Sequence, residues 1–565
     1  MNSRGVWQLA LLIILAAGLT VGTAGWGSLY NETDGQYGGA AKVMVRNGSW
    51  LIPENDGIPR LAKPPLLYWA LAGSMKLFGV NEFAARLPNA LAVVAWVVVT
   101  FLIGREMGGI SRGFLAGIIL LTSLGTFTLG RIVMPEPMFS ALIAAALYCA
   151  LRGANNVARR SAWFLSFWLF ASLASFTKGW HGLLYPLAIL GVAALCSRES
   201  GINLRALVSW KGALLFLLIN LPWYIYVEFR FPGYLQNLLV AEQLGHVIGA
   251  STPATQYTNV PPLQFLLLQL AWLFPWSLVI LAALPVVIRS MLLRQPMTTS
   301  FPSLVVLAWL AVILGSVLLA GQRQDYYAMA MWPAGALTVA WLLERLRLQL
   351  LIAVCAVVFA ITLAAANLMP IIAPDSAAVG LVERATAWTT LASFDRTIWA
   401  ALQTTARLSL GGALLCVLFG LFRWRPTVKL AAIVASAVCL DLGAVSGTAL
   451  VSPYFSLAKV AADISERTPI VYDGGIDTGS SLLFYSDSPV ILLDQDPNDD
   501  FIVRKFGIGR DRYLTSSEFV TFWKSANRSV FITEERKLAA WRERLGVALD
   551  PVAQSGTQIL VKKVP

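Results

Sequence analysis

Five short stretches of this 565-residue chain hold the residue types that chemistry on a phosphorylated substrate needs. Residues 31–37 carry Glu32 and Asp34 ahead of Tyr37. Residues 60–69 carry Arg60 and Lys63 in front of two prolines. Residues 131–137 set Arg131 before Glu136, Lys178 stands between Thr177 and Gly179, and residues 323–327 read Arg-Gln-Asp-Tyr-Tyr. Carboxylates can orient an attacking group or take its proton. Lys and Arg hold a phosphate and stabilise the charge that builds on it as it leaves. Gathered at a lipid interface, these groups suit a phosphate-bearing lipid and a sugar. Each also has a plainer reading. Asp34 can cap a helix, Lys63 can snorkel, Tyr326 and Tyr327 can belong to an interfacial aromatic belt, and Arg131 and Lys178 can pair with the acids as a structural network.

The elements that must position these groups are membrane helices. The chain is 57% hydrophobic and 13% charged, where a soluble domain carries roughly 25% charge, so lipid must be its solvent. A span needs about 20 apolar residues. Such runs lie near 6–25, 87–106, 113–132, 135–151, 162–178, 180–197, 211–229, 263–288, 302–320, 327–343, 349–370, 398–422 and 428–449, about thirteen helices. With the N-terminus inside, every short cytoplasmic loop is basic: Arg105 and Arg112, Arg152 to Arg160, Arg198 to Lys211, Arg289 and Arg294, Arg345 and Arg347, Arg423 to Lys429. That is the positive-inside pattern, and it accounts for the net charge of +12 without nucleic acid. It also places all five chemical stretches on the outer side. Loops 26–86 and 230–262 are long. The first contains two amphipathic stretches, near 35–46 and 66–78, and a group of cations (Arg46, Arg60, Lys63, Lys76, Arg86) on the wrong side for topology, which points to an anion. Residues 452–565 alternate β-rich and helical runs and read as a small α/β domain outside the membrane. The five cysteines sit in apolar segments and form no disulfide framework.

No phosphate-binding loop or dinucleotide fingerprint is present, which disfavours an ATP-driven pump. His181 and His246 are the only histidines, so a histidine-rich metal site is disfavoured while a carboxylate-held divalent metal stays open. No cofactor is otherwise implied.

The block Lys63-Pro64-Pro65-Leu66-Leu67-Tyr68-Trp69, followed by residues 77–88, resembles the aminoarabinose transferase branch of the protein-mannosyltransferase-like family of C-type glycosyltransferases. The resemblance continues through 177–179, 221–224, 275–277 and 480–485. It implies thirteen helices, a periplasmic C-terminal domain and sugar transfer from a polyprenyl phosphate, with inversion, to an acceptor such as lipid A. On that reading Asp34 and Glu136 act on the acceptor, with Glu32 as the fallback acid. Lys63, Arg131, Arg323, Tyr326 and Tyr327 hold the lipid phosphate, and Lys178, Glu242 and Arg60 support them. The family's acidic pair before the tyrosine reads Thr33-Asp34 here, and its acid before the lysine block is Ala62. Protein O-mannosyl transfer, core-oligosaccharide transfer and a lipid flippase are the alternatives. Paired broken helices in inverted repeats, which would mark a transporter, are not seen in the sequence.

Overall fold

The computed structural model describes residues 3–197, 204–245, 259–292, 300–345, 348–368, 394–422, 425–465, 468–526 and 528–563. Helices lie on every apolar run of the sequence. They begin with α1 (Ser3–Thr20), α4 (Glu82–Leu121), α5 (Leu124–Leu129), α6 (Glu136–Asn155), α7 (Arg160–Lys178), α8 (His181–Cys196) and α9 (Trp210–Arg230). Phe301–Leu319, Trp332–Leu343, Leu348–Leu368, Arg396–Gly420 and Pro426–Phe455 follow. Large apolar side chains such as Trp210, Leu218 and Phe229 are left exposed on α9, a surface that only lipid can cover. Eight described helices are long and apolar enough to cross a membrane, and nine if the pair Pro262–Trp272 and Ser277–Leu284, bent by 110°, is one span. The chain is therefore a multi-pass membrane protein. The expectation from sequence is about thirteen; α8 and Met329–Leu343 are apolar but shorter than a full span.

One apparent long helix is two. Gly108 and Gly109 (φ 85°) leave helical geometry inside α4. A Cβ built on Gly104 would lie 2.8 Å from the Gly113 Cα, whereas nine residues of straight helix span about 13 Å. The chain turns back on itself there, so that one run of sequence supplies two of the expected spans.

At one end of the helices lies a layer made by the first long loop: α2 (Thr33–Asn47), a hairpin of β1 (Glu54–Asn55) and β2 (Ile58–Pro59), and α3 (Leu66–Phe78). These are the two amphipathic stretches of the sequence. The soluble domain packs on α2. A Cβ on Gly35 would meet the Ser480 carbonyl carbon at 2.3 Å, and one on Gly39 the Leu483 Cβ at 2.6 Å, so glycine is what lets the two backbones touch. Lys42, nearly buried, donates to the carbonyls of Phe484 and Ser486 and pairs with Asp487 at 2.6 Å. The Tyr485 hydroxyl donates to Glu82 at 2.9 Å.

The domain itself is a six-stranded sheet in the order β5-β4-β3-β6-β8-β7. Its strands are β3 (Ile470–Tyr472), β4 (Val490–Leu493), β5 (Tyr513–Leu514), β6 (Ser529–Glu534), β7 (Pro551–Ser555) and β8 (Gln558–Lys563). Strands β5, β4, β3 and β6 run parallel, and β8 and β7 close the sheet antiparallel. The central strands are buried on both faces, as parallel strands must be. Residues 516–525 and 538–545 cover one face through Phe519, Trp523 and Trp541. The β-rich runs of the sequence become β3, β4, β6 and β8. The two edge strands have no such signal, because β5 is two residues long and β7 is largely exposed.

Candidate functional site

Helices α6 and α7 form an antiparallel hairpin, so the first turn of α6 and the last turn of α7 share one end. That end carries Glu136 and Lys178, each where the helix dipole favours its sign. Lys178 Nζ lies 2.9 Å from Glu136 Oε1. The other oxygen of this buried carboxylate has no hydrogen-bond partner among the described residues. The ammonium also lies 5.0 Å from the ring centre of Tyr327, whose ring meets Tyr326 edge-on at 5.3 Å. The 323–327 stretch is thus brought against the pair. Tyr326 is held well above the ordinary tyrosine range, first by burial and then by the negative charges of Glu136, Glu32 and Asp325.

From the other side come α2 and the hairpin loop. The rings of Tyr37 and Tyr68 meet at 5.0 Å, tilted by 30°. Arg60 donates from Nε to the Tyr68 hydroxyl at 3.1 Å and lies 5.1 Å over the Tyr37 ring. Tyr37 in turn feels the charge of Glu136. Glu32 precedes α2 in a left-handed conformation (φ 63°) that side chains rarely adopt. It is open to solvent, yet enough protein surrounds it that burial, then the charges of Asp477 and Asp325, push its carboxyl above the usual range. Asp325 is raised likewise, by burial and by Glu136 among its neighbours. These contacts and mutual charges bring Glu32, Glu136, Asp325, Lys178, Arg60 and four tyrosines together as one cluster, termed the chamber.

Asp34 sits apart from it. Its carboxylate accepts from the Tyr30 amide at 3.0 Å and the Val133 amide at 2.6 Å, and faces Arg86 at 3.7 Å. Burial pushes its carboxyl up, against the opposing pull of Arg86. Arg86 is wrapped by the carbonyls of Ala24, Trp26, Gly27 and Ser28. The loop cation that seemed misplaced therefore closes the chain between α1 and α2. Arg131 donates to Thr23 and to the Trp26 carbonyl. Together with Asp34 and Trp272, the two guanidiniums line a cavity of about 320 Å³ whose other walls mix apolar side chains (Leu124, Leu129, Val445) with Tyr30, Thr128 and Thr448. Arg323 donates to the carbonyls of Val260, Leu318 and Ala320 and ties two loops together. Lys63 is half-buried beside Pro64 at the entry to α3. The side chain of Glu242, and His246 entirely, lie outside the described residues.

Of the residues singled out in the sequence, the chamber joins Glu136, Lys178, Arg60, Tyr326 and Tyr327. Glu32, the fallback acid of the sequence reading, and Asp325 join them. Both were visible in the quoted stretches, but no spacing rule tells which of two neighbouring acids turns inward.

Residues 37–236 match the dolichyl-phosphate-mannose-protein mannosyltransferase family. An undecaprenyl phosphate-alpha-4-amino-4-deoxy-L-arabinose arabinosyl transferase of Proteus mirabilis is 25% identical over 225 residues, 39% of this chain and 40% of that protein. The chain thus spans well under two thirds of that relative's length. The crystal structure of ArnT from Cupriavidus metallidurans bound to undecaprenyl phosphate superposes with a TM-score of 0.80 at 20% identity, over 98% of this chain and 97% of the other. An Archaeoglobus fulgidus oligosaccharyltransferase superposes at 0.53 with 13% identity, over 96% of this chain and 71% of that one. The resemblance read from the Lys-Pro-Pro block holds, and the fold is shared along the whole chain.

Proposed function

We propose that this chain transfers a sugar, an aminoarabinose-like pentose, from a polyprenyl phosphate to a glycan acceptor such as lipid A. The observation that carries the reading is the chamber: carboxylates, one ammonium, one guanidinium and four tyrosines from five separate stretches, at the end of the helices where the soluble domain docks. The similarity to the arabinosyl transferase and to the undecaprenyl phosphate complex supports the same substrate class.

The donor's apolar chain lies in a groove between the membrane helices, and its phosphate meets Lys63 and Lys178. An acceptor oxygen attacks the anomeric carbon from the face opposite the phosphate. The new C–O bond forms as the bond to the phosphate oxygen breaks, and that oxygen keeps the electron pair. The lysines stabilise the charge gathering there. Glu32, open to solvent and raised in pKa, orients the acceptor and takes its proton when the acceptor is a hydroxyl. A phosphate acceptor is already ionised, and Glu32 then only positions it. Glu136 holds Lys178 in place. Asp34 fixes the backbone that carries Glu32, since it ties residue 30 to residue 133. In this reading residues 1–451 cross the membrane about thirteen times, with loops 26–86 and 230–262 and the domain 452–565 on the outer side of a bacterial inner membrane.

Mass spectrometry of envelope glycolipids, with and without the protein, tests the assignment. A pentose-sized mass difference on a glycolipid is expected, and the purified chain should reproduce it from the sugar-charged polyprenyl phosphate. Unchanged glycolipids, with no sugar released from the donor in vitro, would overturn it.

A further inference from the structure

A second cavity, of about 110 Å³, lies between the β1–β2 hairpin and the soluble domain. Its polar groups come from both sides: Gln36 from α2, Asn55 and Asp56 from the hairpin and Arg60 just after it, and Asp500, Arg512 and Tyr513 from the domain, with Leu483 in the aliphatic wall. Two carboxylates face two guanidiniums, so the cavity has no net charge to draw in an anion. Part of this polarity is already used. Asp56 accepts from the Val490 amide at 2.8 Å and lies 3.4 Å from Arg512. Asp500 accepts from the amides of Ile502 and Val503. The Asn55 carboxamide oxygen is buried with no partner among the described residues. A space so lined is too polar to stay dry. Hydroxyls that both donate and accept suit its mixture of carboxylates, amides and arginines, and the aliphatic wall suits the C–H face of a ring.

Its position supplies the role. Arg60 belongs to this cavity and, through Tyr68 and Tyr37, to the wall of the reaction chamber. We propose that the cavity binds an uncharged hexopyranose ring of the acceptor glycan, next to the unit that receives the sugar. This rests on the glycosyltransferase reading and deepens it. Acceptor recognition is then shared between the first loop and the soluble domain, which gives that domain a part in substrate choice.

The test uses the full chain in nanodiscs and two substitutions away from the chamber. Tyr513→Phe removes one hydroxyl, and Asp500→Asn keeps the helix cap, since Asn caps as well as Asp. The probe is N,N′-diacetylchitobiose (hereafter chitobiose), an uncharged pair of hexopyranose rings, followed by saturation-transfer NMR, with undecaprenyl phosphate binding measured on the same samples. Wild type should saturate chitobiose, and the double variant should bind it at least about tenfold more weakly with undecaprenyl phosphate binding unchanged. Equal chitobiose binding by wild type and variant, no binding by wild type, or displacement of chitobiose by inorganic phosphate would each overturn the proposal. Wild type that fails to bind undecaprenyl phosphate would instead sink the donor half of the glycosyltransferase reading, and the sugar result is read separately from it.

Discussion

Glu32 and Asp34 are two residues apart and have opposite surroundings. Asp34 is 1% exposed, with two backbone amides and a guanidinium on its oxygens, while Glu32 is open to solvent. Replacing each by its amide separates the two roles. In Asp34→Asn the new NH2 group must face either the Tyr30 or the Val133 amide, donor against donor. An unsatisfied buried donor costs roughly 1–3 kcal/mol, so a lowered thermal midpoint is expected, with activity falling only as the fold loosens. In Glu32→Gln nothing buried is left unpaired. The midpoint should stay within about 1 °C while transfer to a hydroxyl acceptor drops by roughly 10²-fold or more, the scale of a general base. Equal loss of stability in both would return Glu32 to a structural role. The pH profile gives a second reading. Burial and the neighbouring acids raise the Glu32 pKa, so the active carboxylate appears only above the ordinary glutamate range. The rate on a hydroxyl acceptor should climb with pH there, and the Gln variant should lose that limb.

Helix α2 has to serve two surfaces at once: the membrane helices beneath it and the soluble domain above. Its glycines make the second contact. In Gly35→Ala the methyl group would sit 2.3 Å from the Ser480 carbonyl carbon, which is backbone and cannot rotate away. A cost of about 1–3 kcal/mol is expected from overpacking, read as faster proteolysis of the soluble domain at constant membrane insertion. Gly73→Ala on α3, where a Cβ meets nothing within 4 Å, is the control and should be silent. The hairpin makes the other clamp, through Asp56. Burial pushes its carboxyl up to about 6 from 3.8, so the folded state binds a proton that the unfolded state releases. The associated stability is complete below about pH 4 and lost as pH rises through about 6. Asp56→Asn imitates the protonated form. Its thermal midpoint minus that of wild type should therefore grow between pH 4 and pH 7, and a constant difference would place the titration elsewhere.

Across the whole molecule, what could be read from sequence was what lipid dictates. Length and apolarity identify a helix that must satisfy its own backbone, and cations at the ends give its direction. Less legible was whatever depends on side-chain aim across distance. Asp34 is claimed by an amide 99 positions away, and Arg86 by four carbonyls before α2, and neither contact leaves a local pattern. The same long-range contacts settle one question of topology independently of any helix count. Since α2 touches residues 480–484, the hairpin reaches Val490 and Tyr485 reaches Glu82, loop 26–86 and domain 452–565 must share a side of the membrane. In the proposed topology α1 crosses once, which puts that side opposite the N-terminus and, with the basic loops inside, on the outer face. An alkaline phosphatase fused after residue 565 should then be active and a green fluorescent protein at the same point dark, with the reverse pattern for N-terminal fusions. If the C-terminal fluorescent fusion glows, the chamber faces the cytoplasm and the proposed acceptor on the outer side cannot reach it. If both termini report the same side, α1 does not cross, and the number of spans after it is even.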